Sequence, residues 1–321
     1  MVAFSRRLFL MVPGVSLLAA ADYQWQQDSS SVALVRNGKT IWRFRYGAEL
    51  SKPMFDPLAV ADGTVLTWNS PPDHPWHHAL WFSWKYLNHV NYWEEDKQTG
   101  KSEGATSWRN VRVTARPDFS ARIGMELSYG EPGQPPLLAE RRVIAVSAPD
   151  SAGTYHLDWS MTFTAQGKDV AIDRTPITGE REGVAYGGYA GLSIRLAREF
   201  REWKAVTARG PVTWDRSVPF HCEPGGVGID FNGAVSGREA GVALLDYPAN
   251  LNSPTPWYIV MQPETDFAFS EAAVIYYRPH VLKAGQSLTL RYRVTVHGGR
   301  WSAGDLATAQ AAYIKEAKGK Q

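Results

Sequence analysis

The residues best able to do chemistry crowd into one stretch, Pro71 to Asp96, which reads PPDHPWHHALWFSWKYLNHVNYWEED. It holds half of the chain's eight histidines, His74, His77, His78 and His89. Lys85 and the carboxylates Asp73, Glu94, Glu95 and Asp96 lie among four tryptophans, Trp76, Trp81, Trp84 and Trp93. Three kinds of chemistry suit this set. Imidazoles beside carboxylates can move protons near neutral pH, because histidine needs little tuning to titrate there. Neutral imidazoles with Asp73 or Glu94 can also ligate zinc, copper, iron or nickel. The spacing is not that of a His-Glu-x-x-His helix, however, so no metal is predicted, and a transition metal held by His74, His77 and His78 stays an alternative. The third role is structural, with the rings satisfying loop carbonyls.

Proton transfer is the leading expectation. His74, His77 and His78 then supply acid or base, with Glu94 or Glu95 as partner. Lys85 and Arg195 steady developing negative charge. Trp81 and Trp93, beside charged residues, are expected as platforms for the apolar face of a sugar, and Trp76 and Trp84 as core. Asn91, next to the carboxylates, is a further candidate for ligand contact. Asp246 and Asn250 fall in a proline-punctuated polar loop after an apolar strand, where loops often line sites. His280 is expected to close the site from the C-terminal side.

Two local geometries can position the histidines. Pro75 disfavours a helical His74, so a single turn opened by Pro75 would bring His74, His77 and His78 together. Alternatively a strand starts at His77. His77, Ala79, Trp81, Ser83 and Lys85 then share one polar face, and His78, Leu80, Phe82, Trp84 and Tyr86 face a core.

Elsewhere the dominant signal is a period of two. Val32 to Arg36, Asn37-Gly38, then Thr40 to Tyr46 is a hairpin with a type I′ turn. Further alternating runs cover 108–115, 120–129, 138–147 and 155–165, with later candidates at 192–196, 241–245, 257–261 and 287–297. Gly and Pro clusters separate them. Only the end looks helical: Ser302 to Asp305 resembles a capping box before Leu306 to Ala317. The sequence thus predicts an all-β chain, one large antiparallel β-sandwich with a short C-terminal α-helix.

Composition narrows the function. With 34 basic and 32 acidic residues the formal charge is +2, which gives no support to a nucleic-acid partner. The lone Cys222 excludes an intramolecular disulfide and reads as a small buried hydrophobe. Gly187 to Arg195 lacks the spacing of a dinucleotide loop, and no Gly-x-Ser-x-Gly elbow or P-loop occurs. Residues 1–21 read as a signal peptide of the twin-arginine type, with Arg6-Arg7, a short apolar run and Ala19-Ala20-Ala21. That run is too short to span a membrane, and no later stretch is long enough. The expectation is an exported, periplasmic or extracellular protein, with 22–321 as a single domain.

The motif Asp73-His74-Pro75-Trp76-His77-His78 and the run Asn91-Tyr92-Trp93-Glu94-Glu95 resemble the DUF6807 family, whose members are often labelled "methane oxygenase PmoA". The loop from Asp246 to Tyr258 and the ending Leu290 to Gly299 match its later signatures. Tyr247 departs from a common histidine, and Ala79 from a common basic residue. Particulate methane oxygenase is a membrane enzyme, whereas this chain has no span after its leader. The resemblance implies an exported all-β protein of carbohydrate or plant-polymer metabolism, more distantly similar to galactose-mutarotase-like supersandwich proteins. The function expected is a carbohydrate-processing enzyme of epimerase, lyase or hydrolase type. A non-catalytic carbohydrate-binding module and a histidine-ligated metal enzyme are the alternatives.

Overall fold

The alternating runs fold as strands because each presents apolar side chains to one face only, which an antiparallel sheet can bury against a second layer. A computed structural model describes residues 23–318 apart from 132, 214, 216, 217 and 219, so the leader expected over 1–21 lies outside the described residues. Among the described residues the strands form two nine-stranded sheets and a four-stranded one, with neighbouring strands antiparallel. The first sheet runs, in spatial order, through Tyr23–Gln27, Ser31–Arg36, Lys39–Arg45, Met54–Leu58, Leu80–Ser83, Gly191–Arg195, Phe267–Ala273, Trp257–Gln262 and Phe220–Glu223. The second runs through Gly210–Pro211, Phe200–Thr207, Gly228–Val235, Arg238–Asp246, Ser287–Gly298, Tyr155–Ala165, Leu138–Val146, Ala121–Gly130 and Ala105–Ala115. His280–Leu282, Val170–Asp173, Tyr86–Leu87 and Val90–Asn91 make the small sheet.

The main core lies between the two large sheets. Leu80, Phe82, Leu192 and Ile194 from the first meet Ile144, Trp159, Phe163 and Val294 from the second. Each such side chain, once removed from water, contributes roughly 1.5–3 kcal/mol. One ion pair is sealed inside this layer. Glu140 and Arg142, two apart on an inward face, are bonded at 2.6 and 2.9 Å and joined by the Tyr129 hydroxyl.

The expected hairpin is present: Asn37 and Gly38 take the positive φ values, 49° and 76°, of a type I′ turn. The helix spans Ala303–Lys318. Its capping box is reciprocal, with Ser302 N donating to Asp305 Oδ2 at 2.8 Å and Asp305 N donating to Ser302 Oγ at 3.3 Å. Leu306 and Tyr313 pack on Ala243, Leu245 and Tyr247, so the helix covers part of the outer face of the second sheet. At that sheet's other end Ala105–Ala115 is an edge strand, broken by a bulge between Arg109 and Arg112 with Asn110 at φ 54°.

Candidate functional site

A second, smaller cluster of rings sits on the first sheet's outer face, away from the main core. It follows from strand alternation: Trp81, Phe267, Phe269, Tyr258 and Val260 point outward while their neighbours Leu80, Phe82, Ala268 and Ile259 point inward. Loops cover this cluster and leave a cavity of about 280 Å³. Aromatic rings make most of its wall, and His74, His77 and Glu94 are its titratable groups besides tyrosine.

The segment before the strand combines the two geometries expected of it. His74 N donates to Pro71 O at 3.1 Å and His77 N to His74 O at 2.9 Å, which makes two successive turns with Pro75 second in the latter. The strand proper begins only at Leu80, not at His77. The turn brings His74 and His77 together, their rings stacked at 4.6 Å, and His77 stacks in turn on Phe269 at 4.8 Å. His74 Nδ1 lies 2.9 Å from Asp73 Oδ2, and the same oxygen accepts from Arg195 Nη2 at 2.9 Å. Arg195 is fully buried, its guanidinium 4.1 Å from the centre of the Phe267 ring. It therefore orients Asp73 and His74 from behind the wall and does not itself line the cavity.

His78 points elsewhere. Its Nδ1 lies 3.0 Å from Asn69 Oδ1 and its Nε2 2.9 Å from Glu95 Oε1. Glu95 also accepts from Lys52 Nζ at 2.6 Å and from the Ser51 hydroxyl. Burial alone would raise the Glu95 carboxyl, but the His78 bond and the Lys52 ammonium pull it down to about 2. Neither His78 nor Glu95 lines the cavity, which corrects their expected place in it. The three rings proposed for a metal do not share a point, and among the described residues no group of three His, Cys, Asp or Glu is placed to hold one.

Glu94 does reach the cavity. Its oxygens accept from Lys85, from Asn91 Nδ2 at 2.7 Å and from the Tyr189 hydroxyl at 2.7 Å. Burial pushes this carboxyl up, yet the Lys85 charge and bond, with the bonds from Tyr189 and Asn91, outweigh it and hold Glu94 below its ordinary value. Asn91 shapes the loop as well, its Oδ1 accepting from Trp93 N at 2.8 Å and Glu94 N at 3.3 Å. Lys85 and Asn91 thus position Glu94 and are not part of the cavity wall.

His77 is the complementary group. Burial, then electrostatic repulsion between a protonated ring and its neighbours His74, Arg195, His78 and Lys52, holds its imidazole well below its ordinary value, so it is neutral near pH 7. Its Nδ1 is buried and has no hydrogen-bond partner among the described residues. Unsatisfied buried polar atoms are rare because each costs roughly 1–3 kcal/mol.

The tryptophan assignments partly exchange. Trp93 lines the cavity as expected, but Trp81 is fully buried beneath His77, Trp93 and Phe269 and lines nothing. Trp76, expected in the core, is half-buried on the cavity wall, whereas Trp84 is core. Asp246 and Asn250 are buried in a separate network: Asn250 Nδ2 donates to Asp246 Oδ1 at 2.7 Å and to Arg291 O at 2.7 Å. They tie a loop to the second sheet and do not border the cavity. His280 pairs with Ile172 in the small sheet, also off the cavity.

Several lining residues carried no sequence signal of their own. Tyr189 is placed by Gly187 and Gly188. A Cβ on Gly187 would lie 2.1 Å from Pro176 O, and one on Gly188, at φ 99°, 2.2 Å from the Tyr276 ring. Phe267 and Phe269 come from a strand that has no clean alternation of polarity. The same strand carries Glu271, buried and directly opposite both Ser193 and Tyr258. Ser193 Oγ lies 3.0 Å from Glu271 Oε2 and 3.2 Å from Gly191 O, so its hydroxyl proton is shared between the two acceptors. Burial raises Glu271 to about 8, against the opposing bonds from Ala190 N and Ser193.

The fold and site define an antiparallel β-sandwich with a ring-walled cavity on an outer sheet face. The chain belongs to the DUF6807 family, a family of unknown function, whose model matches residues 31–311. A comparison with curated protein sequences finds no match. Among solved structures, a GH36 alpha-galactosidase from Geobacillus stearothermophilus in complex with raffinose is 9% identical at a TM-score of 0.44, with 87% of this chain matched. The chain spans only 41% of that protein's length. A Klebsiella pneumoniae protein named for a proposed aldose 1-epimerase activity is 9% identical at 0.45, covering 89% of this chain and 83% of its own. A galactose mutarotase related enzyme from Lactobacillus acidophilus is 11% identical at 0.29, covering 87% and 99%. At these identities and scores, no activity carries across to this chain.

Proposed function

We propose that the cavity binds one sugar ring and that His77 and Glu94 move a proton on it, in an epimerase, lyase or hydrolase type of reaction. The observation that carries this reading is the meeting, on one ring-walled cavity of about 280 Å³, of a neutral imidazole and a carboxylate held ionised. Trp76, half-buried on the wall, offers an apolar face to the C–H side of a pyranose, with the buried Trp93 behind the wall, while the polar groups converge on its hydroxyls. A neutral His77 can accept a proton from a sugar hydroxyl, and the imidazolium so formed, crowded by Arg195 and His74, returns it readily. Asp73 and Arg195 hold His74 in place beside it. The reading includes one β-sandwich unit over 22–321 and export by the leader read at 1–21.

A second reading, a non-catalytic sugar binder, draws on the same wall. Glu94 already accepts from three donors, which lowers its readiness to take a substrate proton.

One experiment separates the two. A panel of free sugars and oligosaccharides is followed by NMR with wild type and His77→Ala, and affinity is measured by calorimetry. The enzyme reading expects turnover of at least one sugar, reduced about 10²–10⁴-fold in the variant with affinity changed much less. Binding without turnover in both proteins establishes the binder. No sugar bound at all overturns both.

A further inference from the structure

The second sheet's outer face is covered by the C-terminal helix over Arg238–Asp246 and Ser287–Gly298, where Arg293 Nη2 donates to Glu316 Oε2 of the helix at 2.7 Å, and is open over the strands from Ala105–Ala115 to Tyr155–Ala165. From that open part to the border of the helix the register lines up one row across five strands, Arg112, Gly124, Val143, Ser160 and the half-buried Arg291, whose guanidinium sits 5.3 Å from the centre of the Tyr247 ring. The middle three are small or short, so the row forms a floor closed at each end by an arginine. The ends stand about 19 Å apart, four strand spacings of roughly 4.8 Å. Arg122 and Arg141, two residues either side of this row on adjoining strands, complete the rim. A Cβ on Gly124 would meet nothing within 4 Å, so the floor is open.

Positive charge dominates this rim, although Glu126 and Asp158 also line it. None of these four guanidinium groups takes part in an ion pair among the described residues, and Arg112, Arg122 and Arg141 are exposed. Both of these carboxylates are paired with arginines outside the four: Glu126 with Arg109 at 3.0 Å and Asp158 with Arg293 at 2.6 Å. Like charges gathered on one sheet face repel, and a sheet face merely open to water has no need of them. The chain's formal charge of only +2 makes the gathering local rather than general.

We propose that this basin is a second binding site, for an extended carboxylate-bearing polysaccharide of the uronate type. The rim is too wide for one small anion to bridge, so the ligand carries repeated charges. Guanidinium forks match carboxylates in a planar, two-point fashion. Single-stranded nucleic acid is disfavoured because it requires exposed rings for base stacking, and the rings beside the basin, Trp159, Tyr313 and Tyr247, are buried. The floor instead offers the Ser160 hydroxyl to ring hydroxyls. The site is independent of the cavity on the other sheet.

The test is calorimetric titration with polygalacturonate at low and moderate salt, beside neutral dextran, poly-glutamate and single-stranded DNA. The expected result is saturable binding of polygalacturonate that weakens with salt, with each other polymer at least tenfold weaker. Arg122→Gln/Arg141→Gln should lose at least tenfold in affinity. Arg209→Gln/Arg238→Gln, which removes the same charge elsewhere, should lose less than twofold. Melting temperatures of all variants check that folding is kept. Absence of binding, equal binding of poly-glutamate or DNA, or equal losses in the two double variants would each overturn the proposal.

Discussion

His77 and His78 are neighbours in sequence, as are Glu94 and Glu95, yet each pair divides between two regions of opposite character. His78 and Glu95 join Lys52, Ser51 and Asn69 in a buried cluster in which every charged group has a partner. His77 and Glu94 line a ring-walled cavity with room for a ligand, and although Glu94 is held by three donors, the buried Nδ1 of His77 has no partner among the described residues. Both regions have shifted titration, so a perturbed pKa alone does not distinguish them. Completeness of hydrogen bonding does. A closed set holds structure together, and an open set is free to act on something else.

That contrast can be broken experimentally, beginning with the closed region. Lys52→Met leaves Glu95 buried with its main cation gone. Removing one partner of a buried pair costs about 3–5 kcal/mol, so the denaturation midpoint should fall steeply; a loss below about 1 kcal/mol would show that the cluster is not structurally closed. Next is Glu271. Its folded-state pKa is raised to about 8, so its contribution is present below its unfolded pKa and is lost as pH rises through about 8. Wild type should therefore lose up to a few kcal/mol between pH 5 and pH 8.5 relative to Glu271→Gln, and parallel pH profiles would refute a protonated Glu271. The smallest effect belongs to the open region. His77→Gln should change stability at pH 7 by less than about 1 kcal/mol, because it breaks no completed side-chain bond. Its folded pKa is depressed, so its contribution is present above its unfolded pKa and lost as pH falls. The variant should accordingly be less sensitive to acid below about pH 6.5; a large loss at pH 7 would place His77 with the closed set.

Much of the architecture was legible because period two is a local property. The strand Tyr155–Ala165 has the expected bounds, and the capping box at Ser302 announces the helix. The strand Phe267–Ala273 was not legible. It is buried on both faces, so its sequence FAFSEAA has no polar side to betray it, and its alanines favour no strand. With it went Phe267, Phe269 and Glu271. The histidine motif was found, but its division was not, because the turn ending at His77 sets which ring faces the cavity, and that depends on how the loop lands on Trp81 and Phe269. Arg195 read as a substrate contact because its partner, Asp73, is distant in sequence. Asp246 and Asn250 read as site residues because a polar loop at a strand end looks the same whether it borders a cavity or ties down a sheet.

The bulge at Asn110 has a bearing on how copies of this protein meet. A long edge strand with regular pleating exposes a row of amide and carbonyl groups that another chain can extend. Ala105–Ala115 has the length for that, but the slip between Arg109 and Arg112 interrupts the row, and the flanking arginines put charge on the border. A second copy approaching edge to edge meets a broken template and a like charge. A regular edge of this length, obtained for instance by deleting Asn110, is expected to polymerise sheet to sheet more readily than the broken one.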